Sequence, residues 1–156
     1  MAATLLLEVA TPERLMLKEN VSEVEVPGAE GEMGILPEHA ALLSELGAGP
    51  LRYTPEGERP RYLFISGGWV EVNANAVRVL ANTAEHGDDI DIQRAQDALQ
   101  RANQRLLNPT GDVDIARALN ALKRAQARLE ASKLASGKLG KRSAATTPLA
   151  SVPVRE

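Results

Sequence analysis

Five arginines, Arg94, Arg101, Arg117, Arg124 and Arg128, are the side chains whose type and spacing could do chemistry. Arg94 and Arg101 lie seven residues apart, as do Arg117 and Arg124, which puts each pair on one face of a helix. If the chain turns back near residue 109, Arg124 lies across from Arg94 and Arg117 across from Arg101. Like charges facing each other across closely packed helices repel unless carboxylates or a bound anion compensate. A polyphosphate would serve, because guanidinium forks match phosphate geometry. The plainer reading is a solvated basic flank, and the spacing alone leaves both open.

Other chemistry is poorly supplied. His39 and His86 are the only histidines, and neither has a second histidine or a cysteine at ligand spacing, so no metal site is expected. There is no Gly-x-x-x-x-Gly-Lys-Ser/Thr loop, no Gly-x-Ser-x-Gly elbow and no Ser/His/Asp set, so no catalytic residue is expected. Glu23, Glu25, Glu30, Glu32, Asp88, Asp89 and Asp91 read as solvated strand faces or as favourable charges at helix N-termini.

Composition narrows the partners. At 156 residues, 44% hydrophobic and 25% charged, the chain can bury one or two ordinary cores. Aromatics are only 3%, so the core must be aliphatic and a stacking platform for bases is not expected. A net charge of −3 with no basic block offers little attraction to nucleic acid or anionic lipid. The absence of cysteine excludes disulfides and thiolate chemistry and suits a reducing compartment. No apolar run approaches the roughly 20 residues of a membrane span, and the start resembles neither a secretory nor an organellar leader, so neither a membrane-spanning nor an imported protein is expected.

The elements that must hold the arginines follow from hydrophobic period. From residue 4 to about 86, short runs recur between turn signals: Thr4–Ala10, Arg14–Lys18, Val21–Val26, Met33–Leu36, Pro50–Thr54, Arg61–Ser66, Trp69–Asn73 and Ala76–Ala81. This predicts an antiparallel β-sandwich or flattened barrel over 1–87. Asn73-Ala74-Asn75 reads as a hairpin turn and Gly67-Gly68 as a bulge or close backbone approach. Ile92, Ala95, Leu99, Ala102 and Leu106 then fall at helical steps, as do Ile115, Ala118, Leu119, Leu122, Ala125 and Leu129. Asn108-Pro109-Thr110-Gly111 separates them, so an antiparallel two-helix hairpin is predicted over 88–134, its second helix starting near Asp112 or Asp114. The helices look like copies of each other, since Asp91, Arg94, Ala95, Arg101, Ala102 and Arg105 recur twenty-three positions later as Asp114, Arg117, Ala118, Arg124, Ala125 and Arg128. Alanines bury little area, so at roughly 25 cal/mol per Å² the seam is weak and the hairpin is expected to detach. Residues 135–156, rich in Ser, Thr, Lys and Pro, are expected to be a disordered tail.

Three motifs point to one family. Val26-Pro27-Gly28-Ala29-Glu30-Gly31-Glu32-Met33-Gly34-Ile35-Leu36-Pro37-Glu38-His39 places glycines and prolines at fixed offsets, where they impose tight turns and a displayed loop. With Ile65-Ser66-Gly67-Gly68-Trp69-Val70-Glu71-Val72 and Ile90-Asp91-Ile92-Gln93-Arg94-Ala95, it resembles the epsilon subunits of bacterial-type, proton-translocating F-type ATP synthases over residues 1 to about 132. The resemblance implies a non-catalytic subunit of the central stalk, peripheral on the cytoplasmic face of the plasma (inner) membrane. Its sandwich would bind the gamma subunit and stand on the c-ring, coupling proton translocation to ATP synthesis.

The resemblance also assigns residues. Glu32 and His39 would contact the c-ring. Glu85, Asp91, Arg94, Ala95, Arg101, Arg124 and Arg128 match the family's ATP motif, the arginines gripping phosphates and Glu85, Asp91 and the Ala95 backbone the adenosine end. ATP would be a regulatory ligand and no cofactor is required. The motif also occurs in members that bind ATP weakly, and no sequence feature reports affinity. The hairpin would fold against the sandwich or extend along gamma, where Arg117, Lys123, Arg124 and Arg128 face the alpha and beta subunits and hydrolysis is inhibited. A free nucleotide sensor accounts for the arginines but not for the Gly/Pro loop, and a small hydrolase lacks a nucleophile and a base.

Overall fold

Alternation of large aliphatic residues with polar ones builds the first half of the chain into one closed sheet. The computed structural model describes residues 3–109, 111 and 114–137. Seven strands run in order as β1 (Leu5–Ala10), β2 (Leu15–Gly28), β3 (Gly31–Ile35), β4 (Leu42–Glu45), β5 (Ala48–Pro55), β6 (Arg61–Asn73) and β7 (Ala76–His86). The sheet order is β1-β7-β6-β5-β2-β3, β4 pairs β6, and β1 also pairs β2, which closes the sheet on itself. Closure removes most free edges, the usual liability of a β protein. All pairings are antiparallel except β1 with β7, which is parallel. The alternating inward residues Leu5, Leu7 and Val9, Val24 and Val26, Val70 and Val72, and Val77 and Val79 meet in one aliphatic core.

Two pairs of expected runs are single strands. Arg14–Lys18 and Val21–Val26 merge into β2, because Glu19 and Asn20 between them include neither glycine nor proline. The strand changes partners near Val21, from β1 to β3 and β5, with an irregularity between Val21 and Glu23. Arg61–Ser66 and Trp69–Asn73 merge into β6, and the diglycine lies inside it as a close backbone approach, with the pairing to β7 in unbroken register on both sides. Gly68 has φ 104°, and a Cβ there would sit 1.9 Å from the Leu80 carbonyl oxygen. The expected turn is present, with Ala74 and Asn75 at φ 48° and 60° between paired Asn73 and Ala76. β7 runs on to His86, five residues past the expected Ala81, and β4 was not expected at all.

A single 3₁₀ turn, Gly87–Asp89, leads into α1 (Ile92–Leu107) and α2 (Ile115–Ala135), which pack against each other. Asp91 and Asp114, twenty-three residues apart, are the two N-caps, accepting hydrogen bonds from the Arg94 and Arg117 backbone N–H at 3.0 and 3.1 Å. The internal repeat is thus a repeated helix start. Ala95, Ala102, Ala118 and Ala125 are buried in the seam. Ile92, Ile115 and Leu119 are not, being 48%, 56% and 42% exposed, because alanine pairs bring the helices close along a stripe narrower than their apolar faces. Helix α2 includes Ala135, one residue into the expected tail, and Gly137 at φ 72° follows its end as a left-handed stop. The remainder of the expected tail, 138–156, lies outside the described residues.

Candidate functional site

Two surfaces carry the candidate residues: the junction where α2 rests on the sandwich, and the outer face of the sheet.

At the junction, β6 is apolar on both faces. Leu63, Phe64 and Ile65 are buried in succession, so Phe64 points away from the core that takes its neighbours. It packs with Ile90, Ala127 and Ala131 in a separate small cluster. Beside it Arg128 of α2 lies over the Phe64 ring, 4.6 Å from its centroid, and its Nε donates to Glu85 of β7 at 2.9 Å. One side chain therefore joins helix and sheet by an ion pair and a cation–π contact, both only part-exposed. Further along, a cavity of about 110 Å³ is lined by Glu25, Glu32, Pro50, Arg52 and Tyr62 of the sandwich and by Glu130 and Leu134 of α2. Burial, then the neighbouring Glu32 carboxylate, pushes the Glu25 carboxyl above its ordinary value, while Arg52, 2.9 Å from Glu23 and 3.9 Å from Glu25, opposes this.

The residues expected to bind ATP divide into two groups. Glu85 and Arg128 meet each other. Asp91 caps α1, and Ala95 is buried in the helix seam with its N–H donating to the Asp91 carbonyl at 3.0 Å. Arg94 and Arg101 are exposed on α1, and Arg124 is half-buried on α2. Among the described residues, no carboxylate lies within ion-pair distance of Arg94, Arg101, Arg117, Lys123 or Arg124. Arg117 and Lys123 are exposed on α2. No group of three or more His, Asp or Glu among the described residues is placed to hold a metal.

The residues expected at the c-ring are divided as well. Glu32 lines the junction cavity, whereas His39 is exposed in the β3–β4 loop with its Nδ1 2.7 Å from the Ala40 carbonyl. That loop is tied to the β6–β7 turn by the Glu38 N–H, which donates to Asn75 Oδ1 at 2.6 Å.

The outer face carries a feature that strand period alone did not single out. Cross-strand partners Leu15–Ala10, Ala10–Leu80 and Leu80–Trp69 form one row over β2, β1, β7 and β6, with Leu43 of β4 beyond it. Leu15, Leu80, Trp69 and Leu43 are 58%, 53%, 51% and 67% exposed. A contiguous exposed apolar row is the kind of surface that interaction sites use. Its signal was the solitary Trp69, an outward position in a strand whose alternate valines face the core. Phe64 was legible in the same way, as the middle of three consecutive apolar residues. Gly87, Ala127 and Ala131 gave no such signal.

No helix among the described residues is long and apolar enough to cross a membrane. Residues 4–87 match the family model for the β-sandwich domain of the ATP synthase delta/epsilon chain, and residues 88–133 match that for its long α-helix domain. An ATP synthase epsilon chain of Carboxydothermus hydrogenoformans is 53% identical over 110 residues, covering 70% of this chain and 81% of that one. One from Solibacter usitatus is 52% identical over 109 residues, with the same two coverages of 70% and 81%. Among solved structures, a chain of the Euglena gracilis mitochondrial ATP synthase, in its OSCP/F1/c-ring assembly, superposes with a TM-score of 0.72 at 28% identity, over 80% of this chain and 78% of that one. With both parts of the fold matched in order and half the aligned residues shared with bacterial relatives, this chain belongs to the ATP synthase delta/epsilon family, as a non-catalytic subunit of epsilon type.

Proposed function

We propose that the chain is a rotor element of the central stalk that couples proton translocation to ATP synthesis without doing chemistry itself. The closed sheet is the platform. Its exposed row Leu15, Leu80, Trp69 and Leu43 grips the gamma subunit, and the loop carrying His39, with Glu32 nearby in sequence, rests on the c-ring. The apolar row is the observation that carries this reading, because a free sensor domain has no use for it. The chain would then be peripheral at the cytoplasmic face of the plasma membrane, held there by the complex.

The hairpin regulates hydrolysis. Its docked form rests on the Arg128–Glu85 pair, the small Phe64 cluster and the cavity edge, contacts modest enough to suit two packings of one sequence separated by a few kcal/mol. Released, it would extend along gamma and present Arg117, Lys123, Arg124 and Arg128 to the alpha and beta subunits. ATP would favour the docked form by binding Arg94, Arg101 and Arg124, whose charges meet no carboxylate among the described residues, beside the Glu85–Arg128 pair. Asp91 and Ala95 would lie at the adenosine end.

A tagged chain should recover gamma with alpha and beta, and Trp69→Glu should abolish that recovery. Recovery of the chain alone would favour the free sensor. Deleting residues 88–156 should raise ATP hydrolysis by the assembled enzyme, and unchanged hydrolysis removes the inhibitory role. Isothermal titration with ATP should give weaker binding for Arg94→Ala and Arg124→Ala than for the parent, whereas equal heats would end the phosphate clamp.

A further inference from the structure

We propose that Gly87 is the seat on which α2 docks, and that its missing side chain selects between the docked and released hairpin. Gly87 is buried at the joint between β7 and the helices. A Cβ built on it would lie 2.7 Å from the Ala135 Cβ and 3.0 Å from both the Ala131 and Tyr62 carbonyl oxygens. Two of these three atoms belong to α2 and one to β6, so the glycine occupies the gap between helix and sheet. Two of them are backbone atoms, which cannot turn aside as a flexible side chain could.

The glycine is not required by its conformation. Its φ lies outside the left-handed region, which elsewhere in the chain holds Gly31, Gly57, Gly67, Gly68 and Gly137. Where α2 is absent from the gap, an alanine at 87 therefore keeps only the 3.0 Å approach to the Tyr62 carbonyl oxygen and loses both contacts with the helix. The same methyl costs most in the docked arrangement, where the Ala135 Cβ and the Ala131 carbonyl oxygen crowd it as well. Ala131 extends the logic, because it is fully buried and belongs to the Phe64 and Ile90 cluster as well. Lifting α2 off Gly87 would loosen that cluster too. The seat sets how close the helix comes, and the Arg128–Glu85 pair then closes beside it.

The consequence for regulation rests on the two-position reading given above, but the seat itself is tested on the full chain alone. The chain contains no cysteine, so Ala127→Cys supplies a single thiol at a position only 5% exposed in the docked form. When opening is fast, its rate of alkylation follows the population of released hairpin, however small that population is. Adding Gly87→Ala to this background should speed labelling about tenfold or more, the range of one added methyl in a close-packed contact. Gly34→Ala is the matched control, since a Cβ there meets nothing within 4 Å, and it should leave the rate unchanged. The urea midpoint of the sandwich, followed by the single Trp69, should differ little among the three proteins, since only the Tyr62 contact of the added methyl lies within the sandwich. Labelling of the Gly87→Ala protein at the parental rate would overturn the proposal. So would a fall in the sandwich midpoint that accounts for the faster labelling, since that means general damage. If labelling is faster but hydrolysis by the complex ignores deletion of 88–156, the seat stands and only the inhibitory reading falls.

Discussion

The sandwich and the hairpin bury different side chains. The sheet encloses Leu5, Leu7, Val9, Leu51, Leu63, Ile65 and their neighbours at essentially zero exposure, interlocked around a closed ladder. The helices bury Ala95, Ala102, Ala118 and Ala125 against each other, and the side chains of α2 buried against the sheet are the small Ala127 and Ala131, with Arg128, Glu130 and Leu134 beside them only part-buried. At roughly 25 cal/mol per Å², a large aliphatic side chain contributes about 1.5–3 kcal/mol on burial, whereas an alanine methyl contributes a fraction of that. Large side chains hold the platform in one arrangement. Small ones give the attached arm far less to hold it, which is what the proposed release of the hairpin requires.

The sharpest way to break this comparison is to damage each part separately. Leu7→Ala should cost the sandwich about 2–5 kcal/mol, read as a lower urea midpoint of Trp69 fluorescence. Deleting the hairpin should move that midpoint far less, and equal losses would show that the two parts share one core. Arg128→Ala comes next. It removes the ion pair to Glu85 and the contact with Phe64, for about 1–3 kcal/mol of docking. Trypsin should then cut α2 faster at Lys123 and Lys133 while the sandwich midpoint holds, and unchanged cutting would leave the pair without a role in docking.

The smallest expected effect is one of pH. Burial first, and Glu32 second, hold the Glu25 carboxyl above its ordinary 4.5, so folding favours the protonated form. The stability this brings is present below the ordinary value and is lost as pH rises through the higher folded one. Glu25→Gln should therefore stabilise the chain at neutral pH and lose that advantage in acid, by a margin reduced because the side chain is 43% exposed. Parallel urea midpoints for variant and parent across that range would show that the cavity carboxylates do not strain the junction.

Period and turn chemistry were enough to read most of the fold. Val24 and Val26, Val70 and Val72, and Val77 and Val79 announce their strands by alternation, and Asp91 and Asp114 announce their helices by a repeat that is also a repeated cap. β4 escaped because Leu42-Leu43-Ser44-Glu45 is short, lacks β-branched residues and lies within a loop-like stretch. The β2 fusion escaped because a strand that changes partners does not mark the event in its hydrophobic pattern, and the β6 fusion because Gly67-Gly68 reads as a break although the pairing with β7 runs through it in unbroken register. Within the candidate site, the arginines were legible as a set, but their division was not. That Arg128 is satisfied by Glu85 while Arg94, Arg101 and Arg124 meet no carboxylate among the described residues depends on where α2 lies.

The sequence by itself determined the local states: which residues alternate, where helices begin, and that the seam between them would be made of alanine. These follow from side-chain size and backbone preference over a few neighbours. Tertiary structure alone decided that α2 rests on β5 and β6, that Phe64 faces it, and that Gly87 lies in the gap between helix and sheet. Those facts join residues far apart in the chain, and the forces that join them are packing and charge between surfaces that no local pattern encodes.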